Sequence, residues 1–142
     1  MQNPWTKKMN DCIFCKIISQ EIPSEIVYED ENTLAFLDIN PINLGHTLVI
    51  PKQHHENIFD VPEEILNNTM KVLQKVARSV DEISDGINVG QNNRPAAGQI
   101  VNHIHFHVIP RFEKDGLRSW PGKKYGEAEI KETLGKIRKN LE

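Results

Sequence analysis

Cysteine is scarce. The 142 residues hold two, Cys12 and Cys15. A pair that close excludes a disulfide framework and suits a reducing compartment. An excess of positive charge is also missing: 20 acidic side chains face 17 basic ones, for a net charge of -3. A protein that coats DNA or RNA would show a clustered basic excess, so no nucleic-acid partner is expected. No apolar run approaches the roughly 18 residues that span a bilayer, so no membrane partner is expected either. Met1–Asn10 is polar without a signal-peptide core, which predicts a cytoplasmic protein. Hydrophobic residues at 38% and charged residues at 26% are ordinary for a soluble globular chain. The length suits one domain.

The pattern along the chain predicts an α+β domain with a mainly antiparallel sheet. Residues 1–10 read as a tail and 11–142 as one domain, with 111–142 a C-terminal loop and helix. Asp11–Ser19 is read as a short helix broken at Pro23. Glu25–Glu29 and Thr33–Ile39 flank a turn and make a hairpin. His46–Ile50, Gly86–Gln91 and His103–Ile109 are three further strands. Asp60 is expected to cap a long helix whose apolar stripe is Leu66, Met70, Leu73, Ala77 and Val80. Ile130, Leu134, Ile137 and Leu141 mark a last amphipathic helix.

The most informative stretch is Gly98–Arg111, GQIVNHIHFHVIPR. His103, His105 and His107 alternate, so on a strand all three imidazoles share one face, roughly 7 Å apart. Ile104, Phe106 and Val108 then face a core. One strand histidine is usually an ordinary hydrogen-bonded residue, but three in strict alternation point to chemistry. Imidazole binds metals. It is also a nucleophile whose tautomer a neighbour can fix. The Cys12-x-x-Cys15 pair is open in the same way: a redox pair, half a zinc site, or two buried thiols.

The run from Gly98 to Ile109 resembles the signature of the histidine triad (HIT) family. Cys12–Ile18, Ala35–Ile39 and Gly45–His54 match that family's Hint-like branch in order and spacing, including a Cys-x-x-Cys motif of zinc type. The resemblance covers about Asp11 to Arg111. It implies a five-stranded antiparallel sheet with helices, joined in a homodimer into a ten-stranded sheet. It also implies a hydrolase or transferase of nucleoside 5′-monophosphate derivatives, with adenosine phosphoramidates or dinucleoside polyphosphates as candidates. By that resemblance His105 is the nucleophile that forms a nucleotidyl-histidine. His107 contacts the phosphate, and His46 completes the network. Asn92, Gly98, Gln99 and Ile100 lie along the phosphate or leaving group, with Gln99 part of the catalytic set. Asp38 accepts from the ribose hydroxyls. Phe14, Ile17, Phe36 and Ile39 wall the purine base, although each equally fits a plain core.

Some relatives of this branch bind zinc through two cysteines and two histidines. The matching ligands are Cys12, Cys15, His54 and His103, with His55 as the neighbouring alternative, so a structural Zn2+ is expected and no organic cofactor. Ile100 departs from the family, where serine or threonine is common; it keeps the backbone amide and loses a hydroxyl. That loss favours the competing reading, a nucleotide-binding regulatory protein with negligible turnover. A third reading places all three histidines on one catalytic zinc. Arg111 reads as a solvated cation or a phosphate contact.

Overall fold

The computed structural model describes residues 11–141; the tail expected at 1–10 lies outside them. The strands are β1 (Ile26–Glu29), β2 (Thr33–Leu37), β3 (Thr47–Pro51), β4 (Gly86–Gln91) and β5 (Phe106–Arg111). They form one antiparallel sheet in the order β1-β2-β3-β5-β4. The helices are α1 (Ile13–Ile18), α2 (Glu63–Asp81) and α3 (Glu129–Lys139). The expected α+β class and five-stranded antiparallel sheet are both present.

Local chemistry explains the elements. Asp30 Oδ1 accepts from the amides of Asn32 and Thr33, each at 2.9 Å, closing the β1–β2 hairpin. Alternation then sorts the sheet into two faces. Ala35, Val49, Phe106 and Val108 pack with Val72, Leu73, Val76 and Val80 of α2. Leu34, Phe36, Leu48 and Ile50 pack on the other face with Cys12 and Phe14 at α1. His107 pairs with Leu48 in the β3–β5 register and so belongs to the α1 face.

Three expectations are corrected. Asp60 accepts from the amides of Glu56 and Asn57 in the preceding turn. Pro62 occupies the N-cap of α2 instead, without a side-chain cap. The stripe of α2 is also rotated: Leu73 and Val80 are buried, whereas Leu66, Met70 and Ala77 are only partly buried at its border. Finally, β5 starts at Phe106, not His103, because the Ile104 amide donates to the His55 carbonyl at 2.8 Å and leaves the β3 ladder to begin at Val49↔Phe106.

Ile104 nevertheless faces the core as expected and is fully buried. Ile104→Ala is expected to destabilise the fold by about 2–5 kcal/mol, the range for losing a large buried aliphatic chain. A urea unfolding curve checks this. An unchanged midpoint would mean that the core does not depend on this residue. The apolar side chains Ile130, Leu134 and Ile137 of α3 are about half exposed. The last helix is therefore amphipathic without being packed into the core.

Candidate active site and metal centre

The approach to β5 places its first two histidines in different jobs. His103 is fully buried and turns toward the N-cap of α1. Its Nδ1 lies 3.5 Å from Cys12 Sγ, 3.6 Å from Cys15 Sγ and 3.2 Å from His54 Nδ1. Cys15 Sγ lies 3.3 Å from His54 Nδ1. Four donor atoms thus converge, all within 4.8 Å of one another.

The set fits a tetrahedral zinc ion on its own geometry. Zn–N bonds of about 2.05 Å and Zn–S bonds of about 2.3 Å give a tetrahedron with N···N edges of about 3.3 Å and S···N edges of about 3.5 Å. The observed separations follow those edges. The tautomer agrees as well. His103 Nε2 lies 2.8 Å from the Pro51 carbonyl. A carbonyl can only accept, so Nε2 carries the proton and Nδ1 offers its lone pair. Burial and the neighbouring Cys12 push the Cys15 thiol up to about 12 in the metal-free protein. A bound cation reverses that by stabilising the thiolate.

The remaining histidines form a second network. His105 Nδ1 lies 2.8 Å from the His103 carbonyl. By the same logic Nδ1 carries the proton and Nε2 is an unprotonated lone pair. The Ile42 amide donates to His46 Nδ1 at 3.1 Å, so the His46 proton sits on Nε2. His46 Nε2 donates to His107 Nδ1 at 2.9 Å, which leaves His107 with its proton on Nε2. The His105 and His107 rings stand 5.0 Å apart between centroids. Asp38 Oδ2 lies 3.7 Å from His46 Nε2, and Asp38 Oδ1 accepts from the Asn40 amide at 2.8 Å.

Burial lowers the pKa of His46, His105 and His107, and His107 falls to about 4 with further help from its two imidazole neighbours. The folded network is therefore neutral near pH 7. The unfolded chain takes up its proton at His107 near 6.5, before the folded chain does. The stabilising contribution of His107 is thus fully present above about pH 6.5 and is lost as pH falls toward about 4. Urea midpoints measured across that window are expected to fall less steeply for His107→Gln than for the parent. Parallel curves would contradict the neutral network.

His105 and His107 open on a cavity of about 420 Å3. The apolar Phe14, Ile17, Phe36 and Ile39 are in its lining, together with Asp38, His46, Asn92, Gly98 and Ile100. Phe14 stacks edge-on against Phe36 and His105, with centroids at 5.5 and 5.1 Å. It is thus core and cavity wall at once. Gly98 has φ +89°, a conformation that disfavours a side chain. Ile100 is 91% exposed and stands at the cavity mouth.

Gln99 is placed differently from its expected contact. Its side chain is buried; Nε2 donates to the carbonyls of Glu56 and Val101, and Oε1 accepts from the Arg94 amide at 2.7 Å. The whole amide is consumed in bracing the 92–99 loop. That bond holds Arg94 at φ 72°, ψ 160°, a region costly for any residue with a side chain. Sequence reasoning also missed Ile13, Ile22, Pro23, Ser24, Leu37 and Leu48 in the cavity wall. Apolar alternation marked Leu37 and Leu48 as strand residues, but no sequence signal aimed them at this cavity.

These observations are matched by comparisons with known proteins. The sequence model of the HIT domain matches residues 19–114. The chain belongs to the HIT family. Adenosine 5′-monophosphoramidase HNT1 of Saccharomyces cerevisiae is 45% identical to this HIT protein over 132 residues, covering 92% of this chain and 80% of the yeast protein. The crystal structure of a HIT family member from Bacillus subtilis superposes with a TM-score of 0.85 at 41% identity, covering 93% of this chain and 98% of that one. A zinc-bound histidine triad protein from Mycobacterium smegmatis superposes with a TM-score of 0.74 at 38% identity, covering 93% and 99%.

Within this HIT protein the three histidines do not gather on one ion. His103 belongs to the cysteine group, and His107 to a separate group with Asp38 and His46. No helix among the described residues is long and apolar enough to cross a membrane.

Proposed function

We propose that this HIT protein is a hydrolase or transferase of nucleoside 5′-monophosphate derivatives that works through a covalent nucleotidyl-histidine on His105. The observation that carries the reading is the tautomer of His105: a carbonyl holds Nδ1–H, so Nε2 presents a lone pair at the cavity wall. Burial keeps that imidazole neutral and so nucleophilic near pH 7. The base lies against Phe14, Ile17, Phe36 and Ile39. Asp38 receives the ribose hydroxyls. The phosphate sits against His105 and His107, along Asn92, Gly98 and the Ile100 amide.

His105 Nε2 attacks the α-phosphorus and the bond to the leaving group breaks; the leaving group takes a proton from solvent, and the water that attacks in the next step returns one. His107 Nε2–H donates to a phosphate oxygen as charge develops. Water then cleaves the phosphorus–nitrogen bond, releases the monophosphate and restores His105. The net reaction consumes one water. Gln99 acts by holding the loop that carries Asn92 and Gly98.

Cys12, Cys15, His54 and His103 would hold a structural zinc, whose chemistry is to fasten α1 to the approach of β5. With four protein ligands it would have no open position for substrate. The free outer edge of β4, with Val89 exposed, supports a homodimer in which two sheets continue into ten strands. A cytoplasmic setting fits the two free thiols.

Incubation with adenosine phosphoramidate tests the reading. The protein is expected to release AMP well above the uncatalysed rate. A folded protein that binds AMP but releases none from this substrate would favour the regulatory reading instead.

A further inference from the structure

The reading above needs His107 to present Nε2–H, which depends on His46 and so on the loop at residues 40–45. The aliphatic side chains of that loop are largely exposed, Leu44 at 83% and Ile42 at 51%. The loop has a polar anchor. Asn43 Nδ2 donates to the Pro110 carbonyl at 2.9 Å and to Asp115 Oδ2 at 3.1 Å. The main chain of Asn43 and its neighbour Ile42 holds His46: the Asn43 carbonyl accepts from the His46 amide at 3.0 Å, and the Ile42 amide donates to His46 Nδ1.

Asp115 is itself fixed. Its Oδ2 accepts from Arg111 Nε at 2.8 Å and from the Phe112 amide, and its Oδ1 accepts from Arg111 Nη2 and the Leu117 amide. Arg111 is spent in this clamp, with further bonds to Asn88 and the Leu117 carbonyl. It is an ion-paired residue, held at both oxygens of Asp115. The fork of the guanidinium and the carboxylate form a rigid two-point pair at the end of β5.

We propose that Asn43, seated on the Arg111–Asp115 clamp, is a positioning residue that sets the tautomers of His46 and His107; the catalytic consequence rests on the functional reading above. The clamp joins the end of β5 to the loop after β2. The Ile42 amide is thereby held against His46 Nδ1. Without that donor, His46 is free to carry its proton on Nδ1. Its Nε2 then accepts from His107 Nδ1–H, and His107 no longer directs a proton from Nε2 toward the phosphate. The two rings reverse together because one hydrogen bond joins them.

The test uses Asn43→Ala, which leaves the Arg111–Asp115 pair intact, and Asp115→Asn, which keeps the volume. Nitrogen-15 NMR of the imidazoles in the substrate-free full chain reads the tautomers directly. Both variants are expected to lose the single tautomer of His46 and His107. With adenosine phosphoramidate, kcat is expected to fall by roughly tenfold to a hundredfold, with KM within about twofold. Arg111→Lys keeps the charge and is expected to fall between the parent and Asp115→Asn.

Parent-like tautomers in both variants would overturn the proposal, whatever happens to stability. Mixed tautomers with an unchanged kcat would overturn its catalytic part. Mixed tautomers in variants of a parent that never cleaves the phosphoramidate would uphold the positioning and overturn the functional reading instead.

Discussion

His105→Ala is expected to lower AMP release from adenosine phosphoramidate by at least about a thousandfold, since losing a covalent nucleophile removes the reaction path itself. AMP binding should survive within a few-fold, because the base wall is built by α1 and β2. Phe14 loses one edge contact, with a centroid separation of 5.1 Å, but keeps Phe36. A steady-state assay beside an AMP titration separates the two effects. His107→Ala should be less severe, by roughly a hundredfold to a thousandfold, the usual loss on removing one donor to a developing negative charge. A His105→Ala variant that keeps the parent rate would place the nucleophile elsewhere.

Loss of metal from the Cys12, Cys15, His54 and His103 group is expected to act on stability first. The four donor atoms come from the start of α1, the loop after β3 and the approach to β5, so one ion held there would tie three separate segments. Metal that binds only the folded chain contributes its binding free energy to folding. Chelation is expected to lower Tm by about 10 °C or more, a loss of several kcal/mol in a domain of this size. Cys15→Ala should mimic chelation and become insensitive to it. Activity should decline with unfolding and not at the moment of chelation. Immediate inactivation with an unchanged Tm would instead indicate a catalytic ion.

The sheet was legible because its strands alternate cleanly between two buried faces. Ala35 and Val49 serve α2, while Leu34, Phe36, Leu48 and Ile50 serve α1. The meeting of the paired cysteines with His54 and His103 was legible only through family resemblance, since spacing alone left redox and packing readings open. The strand assignment at 103–105 failed for a physical reason. His103 must reach the cysteines, its carbonyl holds His105, and the Ile104 amide goes to His55. Those three commitments leave no ladder bonds to β3. Asp60 misled in a similar way: an acid before proline and glutamate reads as a cap, yet its oxygens close the turn upstream.

Gln99 shows the limit of carrying a role over by position. By resemblance it aligns with residues that contact the phosphate or the leaving group; in this fold three hydrogen bonds to the main chain occupy its amide. Asn43 shows the opposite limit. It sits in an ordinary Asn-Pro-Ile-Asn loop, and only the fold brings it to Asp115, 72 positions away. Contacts of that kind leave no periodic trace in the sequence.

Peptide mass mapping of a rapidly quenched reaction looks directly for a phosphorus–nitrogen bond at His105. Mixing the protein with excess adenosine phosphoramidate and quenching in alkaline denaturant preserves a phosphoramidate adduct. A nucleotidyl group is expected on the peptide carrying His105, absent from His105→Ala and formed no more slowly than AMP is released. AMP release with no adduct, or with the adduct on another histidine, would contradict a nucleotidyl-histidine at His105.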